Sequence, residues 1–280
     1  MASLRELRKR LKSIHTTEQL AGAMKTVSAA KFSRIDSVLA GYRPYADSCR
    51  SLMLRFGSSL SAYLPCTAPD APACFVVISS NRGLCGDYNN ALLSYADTVI
   101  GSHKGAYTLI TCGRIAAGYY QDIQHRAFDL PDVPDFSSCL ACCDYLRKEY
   151  IAGRISSVTL LYQSFHNMLT QEPASYALLP ITADTPPSSG EDEMLYLPNK
   201  ATVLKNACLN CVNAAFFSIL LEAAAGAQAS TLVAMRAAYD NARDSSARLE
   251  TVISRKRQSE VTASVIETSA DNNGGMTEER

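Results

Sequence analysis

The feature that most constrains this chain is a stretch without proline, from about Lys200 to Ser269, that keeps helical apolar periodicity throughout. As one helix, ~70 residues rise roughly 105 Å at 1.5 Å per residue. A globular body built from 280 residues is too small to contain such a rod, so the helix has to leave it. Leu204, Cys208, Cys211, Ala215 and Ile219 trace one stripe, Leu232, Met235 and Tyr239 a second, and Leu249, Val252 and Ile253 a third.

The other end of the chain reads the same way. From Ser3 to about Arg55, Leu4, Leu7, Leu11 and Ile14 follow a 3-4-3 spacing. Ala21, Met24, Ser28, Phe32, Ile35 and Leu39 continue the stripe with small residues mixed in. The heptad counted from Leu4 puts Glu18 and Lys25 on the seam, so the pattern drifts. Pro44 reads as a kink or a break. Two such ends around a compact middle predict an antiparallel coiled coil of residues 1–60 and 200–269.

The middle, residues 74–195, alternates short β-branched runs with helical ones. Strands are predicted at Cys74–Ser79, Tyr107–Thr111, Val158–Tyr162 and Ala174–Pro180, and helices at Asn90–Ile100, Arg114–Asp122 and Cys139–Ala152. This order implies a small α/β domain with a largely parallel sheet. Residues 64–73 are a proline-rich linker, 182–193 a loop, and 270–280 a polar tail expected to be disordered.

Composition narrows the function. Lys plus Arg and Asp plus Glu both number 27, which removes any global attraction to nucleic acid. The runner-up reading, a nucleic-acid-binding scaffold, would need aromatics among the basic stretches 5–12 and 255–257, and they hold none. Arg5, Arg8, Lys9, Arg10 and Lys12, with Arg255, Lys256 and Arg257, read as a solvated face or an electrostatic handle. No unbroken apolar run is long enough to predict a membrane span. The basic start lacks a secretory pattern, and Glu6 argues against a transit peptide.

An enzyme in the α/β domain would need convergent groups. The ten cysteines sit mostly in apolar runs such as ACFVV and CLACCDYL, which suits buried free thiols in a reducing compartment. The lone CxxC of Cys208 and Cys211 lies inside the long helix, without the four ligands zinc requires. His15, His103, His125 and His166 are scattered, and Ser164 beside His166 has no acid partner. Asp129, Asp132 and Asp135 lack the Gly and Glu of a calcium loop and read as a surface turn. RGLCG lacks the phosphate-loop spacing and reads as a strand-to-helix turn needing Gly83 and Gly86. No cofactor or metal is expected.

Three motifs in order carry a resemblance. They are IHTTEQLAGAMKTVSAAKF at 14–32, SSNRGLCGDYN at 79–89, and VAMRAAYDNARD at 233–244 followed by RKRQSEVT at 255–262. Together they resemble the gamma subunits of F-type ATP synthases, from about residue 2 to 268. The sequence departs from that pattern at Asp87, where a second glycine is usual, at Thr231, where an arginine is usual, and at Ala263 and Ser264.

The resemblance implies a non-catalytic rotor shaft. The terminal helices would fill a ring of alpha and beta subunits, and the α/β domain would sit beside epsilon and the c-ring. It further implies partner contacts at Met24, Arg257, Gln258 and Thr262 for the alpha–beta ring. For epsilon and the c-ring the implied contacts are Asn81, Arg82 and Tyr196. The implied location is peripheral, on the cytoplasmic face of a bacterial plasma membrane or, alternatively, on an organelle inner membrane.

Overall fold

The structure is a computed structural model that describes residues 3–61, 63–64, 68–181 and 195–274. In chain order its elements are α1 (Leu4–Ser61), β1 (Ala73–Ile78), α2 (Tyr88–Ser102), β2 (Tyr107–Cys112), α3 (Arg114–Tyr119) and β3 (His125–Phe128). They continue with α4 (Phe136–Ile151), β4 (Ser157–Phe165), β5 (Gln171–Leu179) and α5 (Lys200–Gly274). The chain divides into two compact units, Met1–Thr26 with Ala234–Arg280, and Val27–Val233.

The first unit consists of the start of α1 and the end of α5. A reciprocal capping box opens α1: the Glu6 amide donates to Ser3 Oγ at 3.2 Å, and the Ser3 amide donates to the Glu6 carboxylate at 2.7 Å. The two segments run antiparallel, with His15 facing Glu250 at 3.5 Å and Gly22 facing the Tyr239 ring. Leu4, Leu7, Leu11 and Ile14 are half-buried while most of their neighbours are exposed, as the 3-4-3 spacing requires. The drifting seam positions are accommodated by specific pairs. Lys25 Nζ lies 4.3 Å from the centroid of the Tyr239 ring, and Glu18 meets His15 at 3.4 Å.

The second unit holds a five-stranded sheet in the order β3-β2-β1-β4-β5. β1 pairs in parallel with β2 and β4, β2 in parallel with β3, and β4 antiparallel with β5. All six residues of β1 are buried, as expected of a parallel strand covered on both faces. Its two-residue period divides them. Ala73, Phe75 and Val77 pack with Leu92, Leu93, Ala96 and Ile100 of α2, while Cys74, Val76 and Ile78 face the larger core. That core joins α4 (Cys139, Leu146, Tyr150), α1 (Ile35, Leu39, Leu60) and α5 (Leu204, Cys208, Phe216). Within this unit α1 and α5 are again antiparallel, with the Tyr42 and Phe217 rings in edge contact at 5.0 Å.

Several expectations change. α1 runs unbroken through Pro44, because Leu39 and Cys49 on either side are buried and hold the helix through the lost hydrogen bond. β3 was not expected: His125–Phe128 is an edge strand with exposed Arg126 and Ala127 and carries no apolar run. α5 extends into the stretch expected to be disordered, reaching Gly274 at the edge of the described residues. Residues 275–280 and the 182–193 loop lie outside the described residues. By length and composition α5 is also apolar enough to cross a membrane, but most of that window is buried inside the protein, which accounts for its apolarity.

Candidate functional site

Met24 is half-buried on α1 in the first unit, one residue before the Lys25–Tyr239 contact. Arg257, Gln258 and Thr262 lie on α5 in a stretch, 257–266, where every residue is exposed. Thr262 turns its hydroxyl back to the Gln258 backbone carbonyl at 2.8 Å, and Arg257 and Gln258 are themselves exposed. The structure does not bring Met24 and Arg257 together. Tyr239 marks the level of Gly22, and 18 residues separate it from Arg257, about 27 Å along a helix. They are two stations on one rod. The stretch 257–266 also exposes Val261, Val265 and Ile266.

Asn81 and Arg82 follow β1 in the second unit, in a dense polar network. The Asn81 amide donates to the Leu130 carbonyl at 2.6 Å and to Asp132 Oδ1 at 3.0 Å, and its Oδ1 accepts from the Arg114 amide at 3.3 Å. Lys31 of α1 reaches Asp132 Oδ2 at 2.5 Å. Burial works to raise the Asp132 carboxyl, but hydrogen bonds from Lys31 and Asn81 and the charges of Lys31 and Arg82 hold it below the usual range. The Asn81 side chain is therefore a tie between the ends of β1, β2 and β3, while Arg82 stands exposed beside it. Tyr196 lies elsewhere, packed on the large core with Lys200 Nζ 5.6 Å from its ring centroid.

The backbone explains the motif around Asn81. Leu84 and Gly86 adopt φ of 64° and 60°, so the turn into α2 needs two left-handed residues. Gly113, opposite it, has φ 97°, and any Cβ there would meet the Ser79 carbonyl oxygen at 2.2 Å. Cys85 tucks under the turn and accepts from Asn89 Nδ2 at 3.0 Å. The three aspartates are not an idle surface turn. Asp129 pairs with Arg114, Asp132 with Lys31, and Asp135 caps α4 by accepting from the Ser138 amide at 2.9 Å. Sequence reasoning missed the Lys31–Asp132 pair, because 101 positions separate the partners and neither stands out alone. Among the described residues no group of three or more His, Cys, Asp or Glu could hold a metal.

A family model described as ATP synthase matches residues 3–270. The ATP synthase gamma chain of Pelotomaculum thermopropionicum is 31% identical over 277 residues, covering 95% of this chain and 97% of that one. The gamma chain of Methylibium petroleiphilum is 30% identical over 289 residues, with 95% and 97% covered. The chain belongs to the ATP synthase gamma-chain family. Solved structures agree on the fold. A chain of the Euglena gracilis mitochondrial ATP synthase, from its OSCP/F1/c-ring assembly in rotational state 3, superposes with a TM-score of 0.64 at 17% identity, covering 98% of this chain and 96% of that one. A chain of the Tetrahymena thermophila mitochondrial central stalk and c-ring gives 0.61 at 21% identity, with 78% and 99% covered.

Two departures from the gamma-chain pattern have local explanations. Asp87, where a second glycine is usual, has φ −88° and ψ 0°, so no glycine is needed there. Thr231, where an arginine is usual, donates its hydroxyl to the Ala227 carbonyl at 2.8 Å.

Proposed function

We propose that this gamma-family chain is the central rotor shaft of an F-type ATP synthase, coupling c-ring rotation to ATP synthesis or hydrolysis in a hexamer of alpha and beta subunits. It supplies no catalytic group of its own. One observation carries the reading: the first unit is a long two-helix arm with little of its surface buried. Among its described residues only Ala21, Met235, Ala242 and Ser246 are buried. An arm of this kind suits a surrounding partner that reads its asymmetric surface as it turns.

In this reading Met24, Arg257, Gln258 and Thr262 meet the alpha–beta ring. Asn81, Arg82 and Tyr196 belong to the surface turned to epsilon and the c-ring, with Arg82 as the group free to reach a partner. The chain is held peripherally through the complex, on the cytoplasmic face of a bacterial plasma membrane, with no part in nucleic-acid binding.

A charge-assisted hydrogen bond contributes roughly 1.5–3 kcal/mol, too little to decide assembly over a large interface. A contact made in one rotary state still shifts that state's population. The prediction is that Arg257→Ala with Gln258→Ala, and separately Met24→Lys, lower ATP turnover and proton pumping several-fold in reconstituted vesicles while assembly is retained. If both variants assemble and pump like the parent, these positions are not functional contacts.

A further inference from the structure

Nine cysteines lie among the described residues and all are buried. Cys49 of α1 and Cys211 of α5 differ from the core thiols in their surroundings, because both line a cavity of about 270 Å³ that opens between these helices and the β4–β5 hairpin. Their placement is mutual. Cys211 Sγ lies 3.4 Å from the Cys49 carbonyl oxygen, although 162 positions separate the two residues. They form a small core of their own with Ala214, where the short side chains let the helices approach closely.

The contrast with another close pair is instructive. Cys139 Sγ and Cys143 Sγ are 3.9 Å apart, but both lie on α4 inside the large core. Proximity alone therefore does not single out a reactive pair in this chain. Cys49 and Cys211 combine proximity with a shared opening. The cavity also offers polar footing of both signs for a small reactant, because Arg43, Arg50 and Asp47 line it on the α1 side, Glu222 on the α5 side, and Tyr162 and Tyr176 on the sheet side.

We propose that Cys49 and Cys211 form a thiol–disulfide exchange site, at which a small zwitterionic disulfide oxidises the pair to a covalent bridge between α1 and α5. The chemistry balances in two exchanges. The Cys49 thiolate attacks one sulfur of the small disulfide, forming a mixed disulfide and releasing one thiolate. Cys211 then loses its proton and attacks the Cys49 sulfur, which forms the bridge and expels the second thiolate. Two protein thiols are oxidised, the small disulfide is reduced to two thiols, and the two protein protons end on those leaving groups. The order follows from burial. Cys49 is 5% exposed and Cys211 1%, and burial beside Cys49 pushes the Cys211 thiol up to about 12. The proposal concerns this chain alone and does not depend on the rotor reading.

The test uses the full-length chain with glutathione disulfide under native conditions, followed by N-ethylmaleimide, proteolysis and mass spectrometry. The expected product is a peptide pair joining Cys49 to Cys211, about 2 Da lighter than the two reduced peptides together, and reversed by dithiothreitol. In Cys211→Ser the reaction should stall with glutathione on Cys49. In Cys49→Ser, Cys211 should remain unmodified, and Cys208→Ser should bridge like the parent. Alkylation of both thiols after exposure to the disulfide would overturn the proposal. So would a dominant bridge to Cys208 or within α4. The parent chain decides this without any variant, so a poorly folding substitution leaves the answer intact.

Discussion

The two units of this molecule are made from the same two helices and differ in what those helices touch. In the second unit α5 has no exposed residue between Cys211 and Ala229, and it packs against α1, α4 and one face of the sheet. In the first unit the same helix keeps a narrow seam of Met235, Ala242, Ser246, Leu249 and Ile253, with mostly exposed residues between. A helix is kept in place by the apolar surface it covers, far more than by its own propensity. The second unit therefore carries its own stability, and the first carries a shape.

The largest effect that would break this contrast lies in the large core. Phe216 is fully buried on α5, and Phe216→Ala should cost about 3–5 kcal/mol through lost burial and a residual cavity. Urea denaturation of the isolated chain, followed by circular dichroism, measures it. A loss below about 1 kcal/mol, the scale of an ordinary surface change, would mean that the second unit is not the stable one.

A smaller effect tests what fastens α1 inside that unit. Lys31→Met or Asp132→Asn should each cost about 1–3 kcal/mol, since each leaves one partly buried polar partner unmatched. The pH dependence has a definite sign. The Asp132 carboxyl is held below its usual value when folded, so its contribution is complete above the unfolded carboxylate range. It is lost as pH falls below about 4. The parent should therefore lose more stability than Asp132→Asn between about pH 5 and about pH 3, on the scale set by carboxylate titration. Equal slopes for the two proteins would rule the pair out as a fastener.

The smallest effect belongs to the arm. Tyr239→Ala removes the ring lying over Gly22 and Lys25, and should cost about 0.5–1 kcal/mol, confined to the first unit. Amide exchange around Gly22 should quicken while exchange around Phe216 stays unchanged. Quickening in both places would show that the two units unfold together.

Most of the architecture was readable from periodicity. The long terminal helices, the antiparallel pairing and the alternating middle all follow from where apolar residues recur. What escaped was set by tertiary context. His125–Phe128 is a strand because β2 offers it an edge to pair with, and nothing in its own residues announces this. Pro44 fails to end α1 because buried neighbours outweigh one missing hydrogen bond. The partner surfaces were legible only through the resemblance. The roles of Asn81 and Asp132 within the chain emerged only when residues far apart in sequence were brought to one place. Asn81 shows this most plainly, since both ends of its side-chain amide are engaged inside the fold that the motif builds.

The position of α5 in the chain has a consequence for biosynthesis. One face of the sheet waits for Leu204, Cys208 and Phe216, all of which leave the ribosome after every strand has been made. At typical rates of roughly 5–20 residues per second, the stretch from the end of β5 at Leu179 to Phe216 takes about 2–7 s to synthesise. Throughout that interval the nascent chain presents Val76, Ile110, Val158 and Leu160 with their last covering helix still incomplete. The time of greatest exposure to aggregation is thus written into the order of the elements, and shielding by a chaperone would matter most after β5 emerges and before Phe216 does.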